Sequence, residues 1–151
     1  IQVEILSEGE TWTYDVSAEM PGVTDVQGGT YAIMETHHSY MSEFEFAGKI
    51  LGTIISTPRP GVAIGDVGIK AMAAPNGMPA VEWLSGVTVK ELHQEHTLLQ
   101  VEGNVQLEVG DKFALISSQQ DITVSRWDQF IAVRNGKVEA VWDISGRGCH
   151  H

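Results

Sequence analysis

The chain has 151 residues, 42% apolar and 19% charged, which allows one folded domain with its own core and excludes a disordered tail. A formal net charge of -11 excludes a nucleic-acid or anionic-membrane surface, since both need basic patches. No apolar run approaches the ~18–20 residues of a membrane helix, and the single cysteine, Cys149, excludes an internal disulfide, so a cytoplasmic setting is expected.

In chain order, residues 1–6 alternate as a strand does, with Ile1, Val3 and Ile5 on one side and Gln2 and Glu4 on the other. They lack the basic flank and small-residue cleavage site of a signal peptide. With no initiating methionine, the chain is expected to start after processing or inside a longer protein. Residues 7–15 are polar and carry Gly9, so they read as a loop. Pro21-Gly22 marks a turn, and residues 30–35 read as a strand. Helical signals are weak: residues 42–49 are expected to form one or two turns at most, with Ser42 as cap and Glu45 three residues on.

Residues 51–57 are apolar and β-branched, a strand expected to stop before Pro58 and Pro60 because proline cannot donate to a ladder. Residues 61–64 form another short strand, and Pro75-Asn76-Gly77 a turn. Strands over 87–92 and 96–101 flank a short polar break, and a turn at 108–111 feeds a strand at 112–116. Two strand-like runs, 130–133 and 137–142, surround Asn135-Gly136. That spacing predicts a hairpin with a type I′ turn, whose two central residues must accept positive φ. About nine short strands joined by turns predict a mostly-β barrel- or sandwich-like fold.

Four groups of residues could carry chemistry. Residues 7–14 hold hydroxyls and a glycine after a strand, as a phosphate-binding loop does, or as an ordinary polar turn does. His37-His38, and His93 with His96, would face opposite sides of a strand, so hydrogen-bonded or surface histidines are expected rather than a shared metal. Ser117-Ser118-Gln119-Gln120-Asp121 follows an apolar strand, with Asp121 a turn cap or a metal ligand. Asp66-Val67-Gly68-Ile69-Lys70 places a glycine where a bulge or a close approach is needed. Nothing orders Ser, His and Asp into a triad, and there is no Gly-x-Gly-x-x-Gly, P-loop or His-Glu-x-x-His motif.

Five segments in one order resemble the C-terminal stretch of the D-threonine aldolase and D-serine dehydratase family. They are Tyr14-Asp15 with Pro21-Gly22-Val23-Thr24-Asp25-Val26-Gln27-Gly28-Gly29-Thr30-Tyr31, Asp66-Val67-Gly68-Ile69-Lys70-Ala71-Met72, Glu95-His96, Val109-Gly110-Asp111-Lys112, and residues 142–148. Family members resemble alanine racemase in plan. An N-terminal α/β barrel carries the lysine that binds pyridoxal phosphate (PLP), and a C-terminal β-domain packs on a partner's barrel. The resemblance implies that residues 1–15 are a late barrel strand and phosphate-loop-like segment, and 16–151 the C-terminal β-domain.

It also implies that Ser7, Gly9, Thr11, Thr13 and Tyr14 hold the cofactor phosphate. The family's "S-G-G-G-T-G-T-Y" is altered here by Glu8, Glu10 and Trp12, where glycines allow a closer approach. Its His-x-Cys or His-x-Asp metal pair corresponds to Gln119 and Asp121, for a divalent metal that would polarise the substrate hydroxyl. None of Lys49, Lys70, Lys90, Lys112 and Lys137 lies in a segment matching the family's Schiff-base lysine. The implied activity is PLP-dependent lyase chemistry on a small β-hydroxy D-amino acid. The chain is expected to be inactive alone, and to pair with an N-terminal barrel or a second copy. The alternative is a stand-alone, non-catalytic β-domain for ligand binding or dimerisation.

Overall fold

The β-branched run around Ile54 becomes the centre of a sheet. A computed structural model describes residues 3–149. In it β3 (Ile50–Arg59) pairs antiparallel with a strand on either side. Together with β4 (Val62–Gly65), β5 (Ala80–Glu82), β6 (Val87–Leu92), β7 (Thr97–Val101) and β8 (Lys112–Ile116) it builds a six-stranded sheet in the order β5-β8-β3-β4-β7-β6. Every ladder in it is antiparallel. The two edge strands, β5 and β6, lie against each other, so the sheet curls into a nearly closed barrel. The expected mostly-β, barrel-like class is the one observed.

The barrel interior is filled by Ile54, Ala63, Val67, Met72, Val87, Leu99, Phe113 and Leu115. Phe113 is fully buried, and its ring tip rests on two glycines of neighbouring strands. A Cβ on Gly52 or Gly65 would sit 2.4 or 2.3 Å from Phe113 Cζ. These glycines leave the space that the aromatic ring occupies.

β3 runs through Pro58 to Arg59 rather than stopping before it. The register with β4 is irregular between Ser56 and Arg59, and Pro58 falls inside that irregularity, where no ladder donor is required. β9 (Gln129–Arg134) and β10 (Lys137–Asp143) form the expected hairpin. Asn135 and Gly136 have φ of +50° and +73°, as a type I′ turn requires. This ribbon is a sheet of its own. Ile131 pairs with Val141 and Val133 with Val138, and all four are exposed.

Other expectations are corrected. Ile1 and Gln2 lie outside the described residues. Residues 3–6 form no strand, and the ladder starts later, with β1 (Ser7–Glu8) parallel to β2 (Asp25–Val26). Leu6 is the first residue to find backbone partners: its N–H donates to Thr24 Oγ1 and its carbonyl accepts from the Thr24 N–H, both at 3.0 Å. Residues 30–35 are not a strand but a 3-10 turn at Thr30–Ala32, followed by Met34 at φ +53°. Their backbone is satisfied locally, since the Thr30 carbonyl accepts from Ile33 and Met34 and the Thr11 hydroxyl accepts from Tyr31. Residues 42–49 form no helix. The N–H groups of Ala47 and Gly48 both donate to the Ile33 carbonyl, which holds this stretch across the molecule instead of letting it coil. The α-helices are elsewhere, α1 at Tyr14–Glu19, which begins inside the expected 7–15 loop, and α2 at Gln120–Val124, where a turn was expected.

Candidate functional site

The loop after β1 is shaped by its own side chains. Gly9 has φ +86°, and a Cβ there would lie 3.0 Å from Ser17. The Glu10 N–H donates to Thr13 Oγ1 and the Thr13 N–H to the Glu10 carbonyl, each at 3.0 Å, which closes the 3-10 turn Thr11–Thr13 leading into α1. Thr11 is only 2% exposed, and its hydroxyl accepts the Tyr31 N–H at 3.1 Å. Ser7 is exposed, and Tyr14 packs its ring edge-on to Phe44 with 5.8 Å between centroids.

These facts decide how the loop fits a phosphate. The Thr11 hydroxyl is buried and does not reach outward, and the half-buried Thr13 hydroxyl already bonds the Glu10 backbone. Ser7 and Tyr14 remain at the rim. The electrostatics oppose a dianion. Residues 1–48 contain nine carboxylates and no Lys or Arg, whereas the rest of the chain sets nine cations against eleven carboxylates.

The second segment leaves β8 at Ile116. Ser117 Oγ donates to the Ala73 carbonyl at 2.7 Å and accepts from the Gln119 N–H and the Thr123 hydroxyl. Gln119 is half-buried, and its carbonyl accepts from Thr123 Oγ1 at 3.0 Å. Asp121 is exposed and accepts the Ile122 N–H at 2.8 Å in the first turn of α2. Among the described residues no three His, Cys, Asp or Glu side chains converge to hold a metal. One amide and one carboxylate do not fit zinc or manganese.

The residues that join the two segments escaped the sequence reading. Glu35 and His38 are both 6% exposed, with Glu35 Oε1 3.0 Å from His38 Nδ1. Glu35 Oε2 accepts the Gln120 N–H at 2.8 Å, and the buried Gln120 amide donates to the Gly48 carbonyl at 2.8 Å. The His38 ring stacks on the Trp12 indole, 4.5 Å between centroids and 7° between planes. The available signal was the i, i+3 spacing of acid and histidine, which is informative on a helical turn and not on the strand expected there. His37 and His38 lie on the 3-10 turn Thr36–His38 with rings 5.0 Å apart, not on opposite faces of a strand. His93 and His96 close the β6–β7 hairpin, the His93 N–H donating to the His96 carbonyl at 2.8 Å, with both residues exposed. Gly68 belongs to the scaffold. The N–H groups of Ile69 and Lys70 donate to the carbonyls of His93 and Gln94, which occupy the space a Cβ on Gly68 would need.

Residues 47–133 match the family described as a putative serine dehydratase domain. The 3-hydroxy-D-aspartate aldolase of Paracoccus denitrificans is 32% identical over 155 residues, covering 96% of this chain and 40% of that protein. The D-threonine aldolase of an Arthrobacter species is 31% identical over 154 residues, covering 98% of this chain and 41% of that one. The chain therefore spans about two-fifths of the length of these curated relatives. Among solved structures, a D-threonine aldolase from Filomicrobium marinum superposes with a TM-score of 0.93 at 25% identity, covering all of this chain and 43% of that one. An alanine racemase-like protein of Idiomarina loihiensis shares the fold, with a TM-score of 0.82 at 18% identity over 95% of this chain and 44% of its own. No helix among the described residues is long and apolar enough to cross a membrane.

Proposed function

The chain belongs to the putative serine dehydratase domain family, and from that premise we propose that it is the C-terminal β-domain of a PLP-dependent lyase acting on small β-hydroxy D-amino acids. The observation that carries this reading is the superposition of the whole chain on part of a D-threonine aldolase at a TM-score of 0.93. The reaction is retro-aldol cleavage or dehydration. Bound PLP supplies the electron sink for the bond broken at the α-carbon, and the protein supplies orientation.

This chain's own contribution is positional. Residues 1–15 belong with the barrel of the complete enzyme, and the exposed Ser7 and Tyr14 with the Gly9 backbone bend form the face offered to the phosphate end of the cofactor. Thr13 closes the turn that follows that bend through the Glu10 backbone, and the buried Thr11 ties the turn to Tyr31. Asp121, exposed at the start of α2, is the side chain of that segment available for a polar contact with the substrate. Glu8 and Glu10 weaken phosphate binding, so the barrel's donors must carry most of it. The enzyme works in the cytoplasm as a homo-oligomer.

The test is a chimera in which this chain replaces the superposable part of the Filomicrobium D-threonine aldolase. The expected result is a soluble protein with the visible absorbance of bound PLP and release of glycine from D-threonine, while the barrel alone releases none. A chimera that binds PLP yet leaves D-threonine, D-serine and 3-hydroxy-D-aspartate untouched would sink the reading. That outcome would favour the second one, a non-catalytic β-domain for binding or dimerisation, which the buried Thr11 hydroxyl and the acidic loop support.

A further inference from the structure

We propose that Glu35 is the positioning residue that fixes the 7–14 loop and the 117–121 segment relative to each other. One carboxylate reaches both. Its Oε2 accepts the Gln120 N–H at 2.8 Å, and its Oε1 lies 3.0 Å from His38 Nδ1, within ion-pair distance but without the alignment of a hydrogen bond. His38 passes the constraint on by stacking flat against Trp12, inside the loop. The bridge spans residues 12 to 120, so neither segment could hold the other through local chain stiffness.

The surroundings are built for rigidity. Glu35 and His38 are nine-tenths buried, so no bulk water competes for the carboxylate. The next backbone bond along, from the Thr36 N–H to the Ser117 carbonyl at 3.0 Å, ties the same turn to the same segment. Gln120 is held a second time through its amide on Gly48. Met34, directly before Glu35, sits at φ +53°, which non-glycine residues rarely adopt and which the surrounding structure must enforce. A buried carboxylate–imidazole contact is a poor source of stability compared with apolar packing. Its value here is geometric: each oxygen serves one segment of the proposed site, and a site needs its parts held to within about half an ångström. The role in a site rests on the lyase reading above, but the mechanical link between the segments does not.

The test follows the amide resonances of Gln119, Gln120 and Asp121 in the isotopically labelled full chain, without cofactor or substrate. Trp12→Ala perturbs the loop end of the bridge. In the native background it is expected to shift these three amides. In the Glu35→Ala background the same substitution is expected to shift them about fourfold less, as a double-mutant cycle reports for coupled residues. Should Glu35→Ala fail to fold, His38→Phe serves as the second background, because it keeps a stacked ring on Trp12 while removing Nδ1. A purely structural Glu35 would lower stability without changing how far the Trp12 perturbation travels. Equal shifts in the native and substituted backgrounds would overturn the proposal, as would a Trp12→Ala change that leaves the three amides unmoved in the native one. Neither result touches the chimera's activity, so the two readings fail separately.

Discussion

Gly68→Ala is expected to destabilise the chain by about 3 kcal/mol, at the upper end for overpacking a site that cannot give way. The added Cβ would lie 2.4 Å from the Gln94 carbonyl oxygen and 2.5 Å from that of His93. Both neighbours are backbone, so no side chain can swing aside. Both carbonyls also accept hydrogen bonds from the two residues after Gly68, at 2.8 Å from Ile69 and 3.1 Å from Lys70. Moving them away breaks what holds the segment to the β6–β7 hairpin. Urea unfolding of the two proteins measures the difference. A loss below about 0.5 kcal/mol, the size of an ordinary surface change, would show that the close approach is not a constraint.

Phe113→Ala is expected to cost about 4 kcal/mol, within the range for truncating a buried phenylalanine. The ring is fully buried, and glycines on two adjacent strands make room for it, so its loss leaves a cavity with little nearby that can move in. The same geometry predicts non-additivity. Gly52→Ala alone clashes with the ring at 2.4 Å, whereas combined with Phe113→Leu it meets a smaller side chain. The double variant should therefore be more stable than the sum of the single losses implies, by about 1 kcal/mol or more, as coupled neighbours show. Strict additivity in thermal or urea denaturation would contradict the packing described.

The strands were readable where they are marked locally. Outside the barrel, Asn135-Gly136 forces its hairpin whatever surrounds it; within the barrel, the run from Phe113 to Ile116 is apolar enough to be a buried strand in almost any fold. β5 was missed: Ala80–Glu82 is three residues long and pairs only because β8 lies alongside. Residues 30–35 misled for the opposite reason. Their pattern is strand-like, but Thr11, twenty residues away, takes the Tyr31 N–H that a ladder would have used.

The candidate site was legible only as a family pattern. Ser7, Gly9, Thr11, Thr13 and Tyr14 stand in the right order, but order does not reveal that Thr11 turns inward. Glu35 gave no sign of its partner because Gln120 is 85 positions further on, and no local rule connects them.

The β9–β10 ribbon has a consequence for how the molecule breathes. It shares no ladder with the six-stranded sheet. The Ile144 N–H on the Asp128 carbonyl and the Arg147–Asp128 ion pair at 2.7 Å only tie its own two ends together, and just before it the Trp127 indole N–H donates to the Ala71 carbonyl at 2.7 Å. A two-stranded ribbon with a solvated face has little apolar area to resist opening. Its amide protons should therefore exchange with solvent deuterium through local opening events, while those of β3, β4 and β8 wait for the whole barrel to unfold. The chain would then contain two cooperative units of unequal persistence.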